Sequence, residues 1–167
     1  FFGWRVGGSI TDAERVLITA APHTSNWDAV LGIAAVLGLN VRLHFLGKHT
    51  IFVPGLRWFM RWLGGIPVYR QNPKGVIDHV NQLVEKHDGL VIVIAPEGTR
   101  KKTEKWKTGF LRIAEANNCK IQMGALDFEH KRIVLGDLYQ PTGDNQADIA
   151  NIKQWYTQFK GKYPDQF

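Results

Sequence analysis

His23 and Asp28 are the residues whose types and spacing could carry out acid–base chemistry. Ser25 and Asn26 are good helix N-caps, so Asp28 is expected in the first turn of a helix, with His23 just before that turn. This spacing lets the Asp28 carboxylate accept a hydrogen bond from one imidazole nitrogen, which leaves the other nitrogen free to take a proton. Such a pair suits the activation of a hydroxyl group on a substrate. The alternative is a capped helix with a hydrogen-bonded histidine, because this spacing also arises by chance.

A second polar loop reads PEGTR (residues 96–100) and directly follows an apolar run at residues 90–95. The His23 loop likewise follows an apolar run, at residues 15–21. If both runs are parallel strands, their carboxyl ends lie at one edge of a sheet, which is where α/β proteins bind ligands. We therefore expect the two loops to form one site.

Apolar runs alternate with helical patterns along nearly the whole chain. This order predicts an α/β sandwich, with a mostly parallel central sheet flanked by helices, in a single domain over residues 1–167. The run at 90–95 is apolar at every position, as expected of a strand covered on both faces. The predicted strands are 15–21, 41–46, 90–95, 121–128 and 132–138. The predicted helices are 27–37, a short one from 54 to about 63, 74–87, 108–116 and 147–159.

The composition favours an anionic partner. The chain has 167 residues and a formal net charge of +6, which suits nucleic acid, an anionic lipid surface or a phosphorylated small molecule. A nucleic-acid-binding signature is absent from the sequence, so we expect no nucleic-acid partner. The longest uncharged run, residues 29–41, is too short to span a bilayer. Since the chain begins with Phe1, the question of an upstream anchor stays open.

Several other kinds of site find no support in the sequence. The remaining histidines show neither the HExxH spacing nor neighbouring cysteines, so we expect no metal site; they are His44, His49, His79, His87 and His130. A GxSxG nucleophile elbow and a GxxxxGK[ST] phosphate loop are both absent. The single cysteine, Cys119, cannot form an internal disulfide.

Three ordered blocks resemble those of the lysophospholipid and glycerol-phosphate acyltransferase family. HTSNWD (23–28) is similar to the His-x4-Asp block, GIPVYR (65–70) to the second block, and PEGTR (96–100) to the third. KTG (107–109) resembles the stretch that follows the third block, and Lys48 stands where family members often carry a lysine. The resemblance covers residues 15–126.

The resemblance implies that His23 is a general base and Asp28 its orienting partner. Transfer would run from acyl-CoA or acyl-carrier protein, without a further cofactor, to a hydroxyl of a lysophospholipid such as 1-acylglycerol 3-phosphate. The implied substrate-binding residues are Lys48, Arg70, Glu97, Gly98, Thr99 and Arg100. Arginine suits this role because its planar guanidinium makes forked hydrogen bonds to phosphate oxygens.

Two departures leave parts of this expectation open. The family's fourth block usually holds a proline flanked by valine or isoleucine, whereas residues 122–126 read QMGAL, so the donor is not specified. Lys101 replaces the serine that commonly follows the third block, which leaves the acceptor open. A non-catalytic phospholipid-binding module of the same fold is the competing hypothesis.

The segment from residue 54 to residue 63 predicts a peripheral membrane protein, which we expect on the cytoplasmic face. Trp58 and Trp62 each directly follow an arginine, Arg57 and Arg61, a combination that suits an anionic membrane surface. The other helix face carries Leu56, Phe59, Met60 and Leu63, which we expect to pack on the sheet. The alternative is that both tryptophans are buried under another segment.

Overall fold

The structure is a computed structural model that describes residues 3–11, 13–39, 43–69, 71, 73–86 and 89–167. Its strands are β1 (Arg5–Gly7), β2 (Arg15–Ala21), β3 (Leu43–Lys48), β4 (Gly65–Val68), β5 (Leu90–Ile94), β6 (Lys120–Asp127) and β7 (Arg132–Tyr139). Its α-helices are α1 (Trp27–Leu39), α2 (Arg57–Trp62), α3 (Pro73–Lys86), α4 (Gly109–Ala116) and α5 (Asn145–Tyr156). Short 3-10 turns cover His49–Ile51 and Pro164–Gln166.

The strands form one sheet in the order β1-β7-β6-β2-β5-β3-β4. Strands β6, β2, β5, β3 and β4 are parallel, while β7 pairs antiparallel with β6 and β1 runs parallel to β7. The predicted α/β fold with a mostly parallel sheet is therefore confirmed. Because β2 and β5 are direct parallel neighbours, the loops that follow them lie side by side at the carboxyl edge, as expected.

The helices cover both faces of the sheet. A buried apolar cluster joins Leu17 and Ala21 of β2 to α3, α4 and α5, so these three helices share one face. Val16 and Ile18 point to the opposite face because successive strand residues alternate, and they too are buried. Right-handed crossovers place α1 and α2 on that opposite face.

Contacts of Gly65 support this placement of α2. A Cβ at Gly65 would lie 2.6 Å from the Met60 carbonyl oxygen and 3.0 Å from the Phe52 ring, whereas its neighbour Ile66 belongs to the cluster on the α3 side. Only a residue without a side chain lets the α2 segment lie this close to the sheet. The segment is fixed there by Phe52, which is buried.

Helix boundaries follow local signals closely. The Asp144 side chain caps α5 by accepting hydrogen bonds from the backbone N–H of Gln146 and Ala147, so this helix begins two residues before the predicted start. Helix α3 begins at Pro73, where a proline loses no helical hydrogen bond. Its apolar residues fall on one face, with Val76 and Val80 buried.

Several sequence expectations differ from the structure or lie outside the described residues. Strands β1 and β4 were not predicted, because three or four residues give too short a pattern. Strand β5 is covered unequally, since Leu90 and Ile92 are buried but Val91 and Val93 are half-buried. The predicted start of β3 at residues 41–42 and the end of α3 at His87 lie outside the described residues.

Within the described ranges, every helix is too short or too polar to cross a bilayer.

Candidate active site

The side chain of Asp28 is the centre of the loop that follows β2. Asp28 lies in the first turn of α1 and is only 4% exposed. Its Oδ2 atom accepts hydrogen bonds from the backbone N–H of Thr24 and of Ser25, both at 2.8 Å, and its Oδ1 accepts from the Ser25 hydroxyl at 2.8 Å. His23 Nδ1 lies 3.0 Å from Asp28 Oδ2. The contact between His23 and Asp28 expected from the spacing is therefore present. The same carboxylate also binds Thr24 and Ser25 and so holds the loop from residue 23 to residue 28 in one conformation.

These hydrogen bonds decide the charge of Asp28. Burial alone opposes its ionisation, but the hydrogen bonds from His23 and Ser25 outweigh it and hold the pKa of the carboxyl below its usual value. An ionised Asp28 makes Nδ1 of His23 the protonated nitrogen. The other nitrogen, Nε2, is then the acceptor, and the His23 side chain is 29% exposed, so a ligand can reach it.

Glu97 holds the backbone of His23 from the neighbouring loop. The His23 N–H donates to Glu97 Oε1 at 2.8 Å, which joins two residues 74 positions apart. Glu97 is only 2% exposed, and its burial, together with the nearby Asp28 charge, raises the pKa of its carboxyl to about 7. The hydrogen bond from His23 opposes this rise without cancelling it. Glu97 therefore positions His23, which the sequence had not indicated.

The other residues of the PEGTR loop lie beside Glu97. Gly98 has a positive φ of 64°, which only glycine adopts freely, and its N–H closes the turn onto the Ala95 carbonyl. The Thr99 hydroxyl accepts a hydrogen bond from the Lys101 N–H at 3.2 Å. The exposed Arg100 donates to the side-chain oxygen of Asn26, so its guanidinium is held against the His23 loop.

Lys48 and Arg70 are the two remaining residues predicted for the site. Lys48 ends β3 and is exposed at the carboxyl edge of the sheet, with β5 between β3 and β2. Arg70 lies outside the described residues.

The C-terminal segment, residues 160–167, contacts both loops. The Tyr163 N–H donates to the Thr24 hydroxyl oxygen at 3.2 Å. The Gln166 amide, oriented so that both of its ends are satisfied, donates to the carbonyls of Thr24 and Arg100 at 3.2 and 2.6 Å. The Lys162 amine lies 4.8 Å from the centre of the Trp27 ring. Sequence analysis missed this segment, because contacts across more than a hundred residues leave no local pattern.

Asp127, Glu129 and His130 are the one group of potential metal ligands within the described ranges. Asp127 Oδ2 already lies 2.8 Å from both His130 Nδ1 and Arg132 Nε, and Glu129 pairs with Lys160 at 2.6 Å. Arg132 and Lys160 thus already pair with the two carboxylates, although Asp127 Oδ1 is buried without a hydrogen-bond partner, so this group fits a salt-bridged hairpin turn better than a metal site.

A cavity of about 430 Å³ lies at the edge strand β4, away from the two loops. Its apolar wall includes Ile66, Val76 and Leu83, and its polar wall includes His44 and Arg61.

Glu97→Gln should stabilise the protein at high pH. The wild-type carboxyl has a folded pKa of about 7 against an ordinary value of 4.5, so the folded state loses stability as pH rises through this window. Glutamine cannot ionise, so its advantage over the wild type should grow by about 2 kcal/mol from about pH 5.5 to about pH 8.5. Urea unfolding at the two pH values measures this. Exposed Glu115→Gln is the control, and a pH-independent advantage of Glu97→Gln would contradict the assignment.

Gly161→Ala should disturb the contact of the C-terminal segment with the His23 loop. An added Cβ would lie 2.8 Å from both Cγ2 and Oγ1 of Thr24, which is an overlap. We expect a loss of about 1–3 kcal/mol in unfolding free energy. Gly38→Ala is the control, because nothing lies within 4 Å of a Cβ there and alanine favours helix α1. Equal stability of the two variants in urea would show that the segment does not press on Thr24.

Comparison with known proteins identifies the family. The profile of the Acyltransferase family matches residues 6–123. A chloroplastic 1-acyl-sn-glycerol-3-phosphate acyltransferase of Arabidopsis thaliana is 34% identical over 86 residues, which are 50% of this chain and 24% of that protein. A chloroplastic 1-acyl-sn-glycerol-3-phosphate acyltransferase of Brassica napus is 32% identical over 101 residues, which are 58% of this chain and 29% of that protein.

The matched segment thus spans less than a third of either relative's length. The family match, in contrast, covers more than half of this chain and includes both loops of the site. The resemblance carried by the three sequence blocks is confirmed, and the chain belongs to the Acyltransferase family.

Proposed function

We propose that this protein transfers a fatty acyl group from an acyl thioester to a hydroxyl of a lysophospholipid such as 1-acylglycerol 3-phosphate. The donor is acyl-CoA or acyl-carrier protein. The observation that carries the proposal is the contact of 3.0 Å between His23 Nδ1 and Asp28 Oδ2 in a half-buried loop at the carboxyl edge of the sheet. The names of the two relatives support the choice of acceptor.

In the proposed mechanism, His23 Nε2 takes the proton of the acceptor hydroxyl as its oxygen attacks the thioester carbonyl. Asp28, held ionised, stabilises the imidazolium that forms. The tetrahedral intermediate collapses by breaking the carbon–sulfur bond, and His23 returns its proton to the departing thiolate. The products are the acylated phospholipid and the free thiol, so His23 ends in its starting state.

Direct transfer fits this chain better than an acyl-enzyme intermediate. Cys119 is buried, with only 8% of its surface exposed. Burial raises the pKa of its thiol to about 11, so thiolate is scarce at neutral pH. The Ser25 hydroxyl donates to Asp28 Oδ1, and the Thr24 hydroxyl accepts from Tyr163. Each of these candidate nucleophiles is thus buried or bonded elsewhere, whereas a thioester is already activated toward a bound hydroxyl.

His23→Ala should lower acyl transfer at least a hundredfold, roughly the contribution of a general base, without unfolding the protein. The structure supplies a matched control, because His130 makes the same Nδ1–Oδ2 contact with Asp127 at 2.8 Å and is 58% exposed. His130→Ala should keep transfer near the wild-type rate. The measurement is transfer of labelled acyl groups to 1-acylglycerol 3-phosphate, with circular dichroism to verify folding.

Two outcomes would contradict the proposal. Transfer by His23→Ala near the wild-type rate would remove His23 from the chemistry. A wild-type protein that binds the phospholipid but transfers nothing from either donor would favour the non-catalytic lipid-binding module. Asp28→Asn can keep the loop in shape, because its amide oxygen can accept from the N–H groups of Thr24 and Ser25 while its NH2 group donates to the Ser25 hydroxyl, so this variant removes the negative charge beside His23.

Arg100→Ala should raise the KM of the acceptor more than the KM of the donor. Arg100 is exposed, and its hydrogen bond to Asn26 holds it beside the His23 loop. In that position its guanidinium can also bind a phosphate. Arg100→Lys should show the same pattern, because lysine lacks the planar fork. Exposed Arg112→Ala on α4 is the control for lost charge. Equal effects of Arg100→Ala on the two KM values would show that the phosphate binds elsewhere.

A further inference from the structure

One face of the sheet carries two helices that are apolar yet poorly buried. Helix α1 has no charged residue after Asp28, but Trp27 and Val30 are 54% and 51% exposed, and residues 31–35 are only half-buried. A helix that is apolar on all sides normally lies in a protein core or in lipid. Helix α2, on the same face, has no buried residue at all. We call the outward sides of these helices the α1–α2 surface.

The aromatic residues of α2 point outward together. Trp58 and Trp62 are 69% and 70% exposed, and Phe59 lies between them with ring-centre distances of 5.9 and 6.0 Å. The prediction that Leu56 and Phe59 pack on the sheet is wrong, since both side chains are exposed. The reason is that Phe52, from the preceding loop, occupies the place on the sheet beside Gly47 and Gly65. Three of the four apolar side chains of α2 are therefore exposed, those of Trp58, Phe59 and Trp62, while that of Met60 is half-buried.

The charge of this region has one sign. From residue 29 to residue 63, the stretch that includes α1 after Asp28 and all of α2, the sequence contains no aspartate or glutamate and four lysines or arginines, so this stretch carries a charge of +4. Arg57 and Arg61 directly precede the exposed Trp58 and Trp62 of α2. Tryptophan beside arginine is the combination that binds at the headgroup level of anionic membranes.

We infer that the α1–α2 surface docks onto an anionic lipid bilayer. The apolar rings enter the headgroup boundary while Arg57 and Arg61 contact lipid phosphates. Asp28 is in the first turn of α1, so this orientation turns the His23 loop toward the membrane. The docking itself does not depend on the proposed acyl transfer. Only the functional reason for turning the His23 loop toward the membrane rests on that proposal.

Vesicle sedimentation of the whole protein tests the inference without any measurement of turnover. The vesicles are phosphatidylcholine alone or phosphatidylcholine mixed with phosphatidylglycerol. We expect binding to the mixed vesicles only, weakened roughly tenfold or more in Trp58→Ala/Trp62→Ala and about thirtyfold in Arg57→Gln/Arg61→Gln. Thermal unfolding should change little in either variant, because all four side chains are exposed and the hydrogen bond lost with Arg57, to the Phe52 carbonyl, is long at 3.5 Å.

Two matched controls locate the surface. Leu138→Ala removes an exposed apolar residue from β7, and Lys101→Gln/Lys102→Gln removes two exposed charges from the loop after β5. Both should bind the mixed vesicles like the wild type. Loss of binding in the lysine variant with normal binding in the α2 variants would move the surface to the lysine loop and overturn the inference.

Two further results would also overturn it. The first is a wild-type protein that fails to bind the mixed vesicles. The second is a wild-type dimer in sedimentation velocity that becomes monomeric in Trp58→Ala/Trp62→Ala, with equal vesicle binding by both proteins. That result would make the α1–α2 surface an interface between two copies of the chain.

Discussion

The Asp28 carboxylate is the interaction on which the rest of the site depends. Its two oxygens accept two backbone N–H groups and one hydroxyl within five residues, and they orient the His23 ring as well. Removing a carboxylate from water is costly unless such donors replace the lost hydration. The charge therefore holds the loop in shape, and the loop in turn keeps the charge ionised. Shape and protonation state are fixed by the same set of hydrogen bonds.

The sheet adds a second carboxyl group with the opposite tendency. Glu97 follows β5, the parallel neighbour of β2, and meets the loop through a single backbone N–H of His23. Asp28 receives several donors and has a lowered pKa, whereas Glu97 receives fewer and has a pKa of about 7. Near neutral pH the two buried carboxyl groups thus carry less than two full charges, which limits their mutual repulsion. The parallel pairing of β2 and β5 brings these two carboxyl groups, with their different protonation, to the same edge of the sheet.

Sequence patterns predicted what depends on near neighbours. The run LVIVI and the spacing of Val76, Val80 and Leu83 were sufficient for β5 and α3, and the spacing of His23 and Asp28 was sufficient for their contact. Sequence patterns failed where a contact with a distant part of the chain determines how a residue packs. The side of α2 expected to pack on the sheet was misassigned at Leu56 and Phe59, because Phe52 takes the place on the sheet, which helical periodicity cannot reveal. The hydrogen bond from His23 to Glu97 depends on strand register, which two separate motifs do not encode.

The contact between Thr24 and Tyr163 also bears on how the protein is made. These residues are 139 positions apart, whereas the hydrogen bonds that shape the loop around Asp28 span three or four. During synthesis the residues of this loop leave the ribosome more than a hundred residues before Tyr163, so the contact between them forms only late, when the domain folds as a unit. Thr24 is 3% exposed in the folded protein, where Gly161 and Tyr163 of that segment contact its side chain. A chain that stops before Tyr163 would lack the hydrogen bonds of Tyr163 and Gln166 to Thr24 and Arg100, and with them the only described link from this segment to both loops at once.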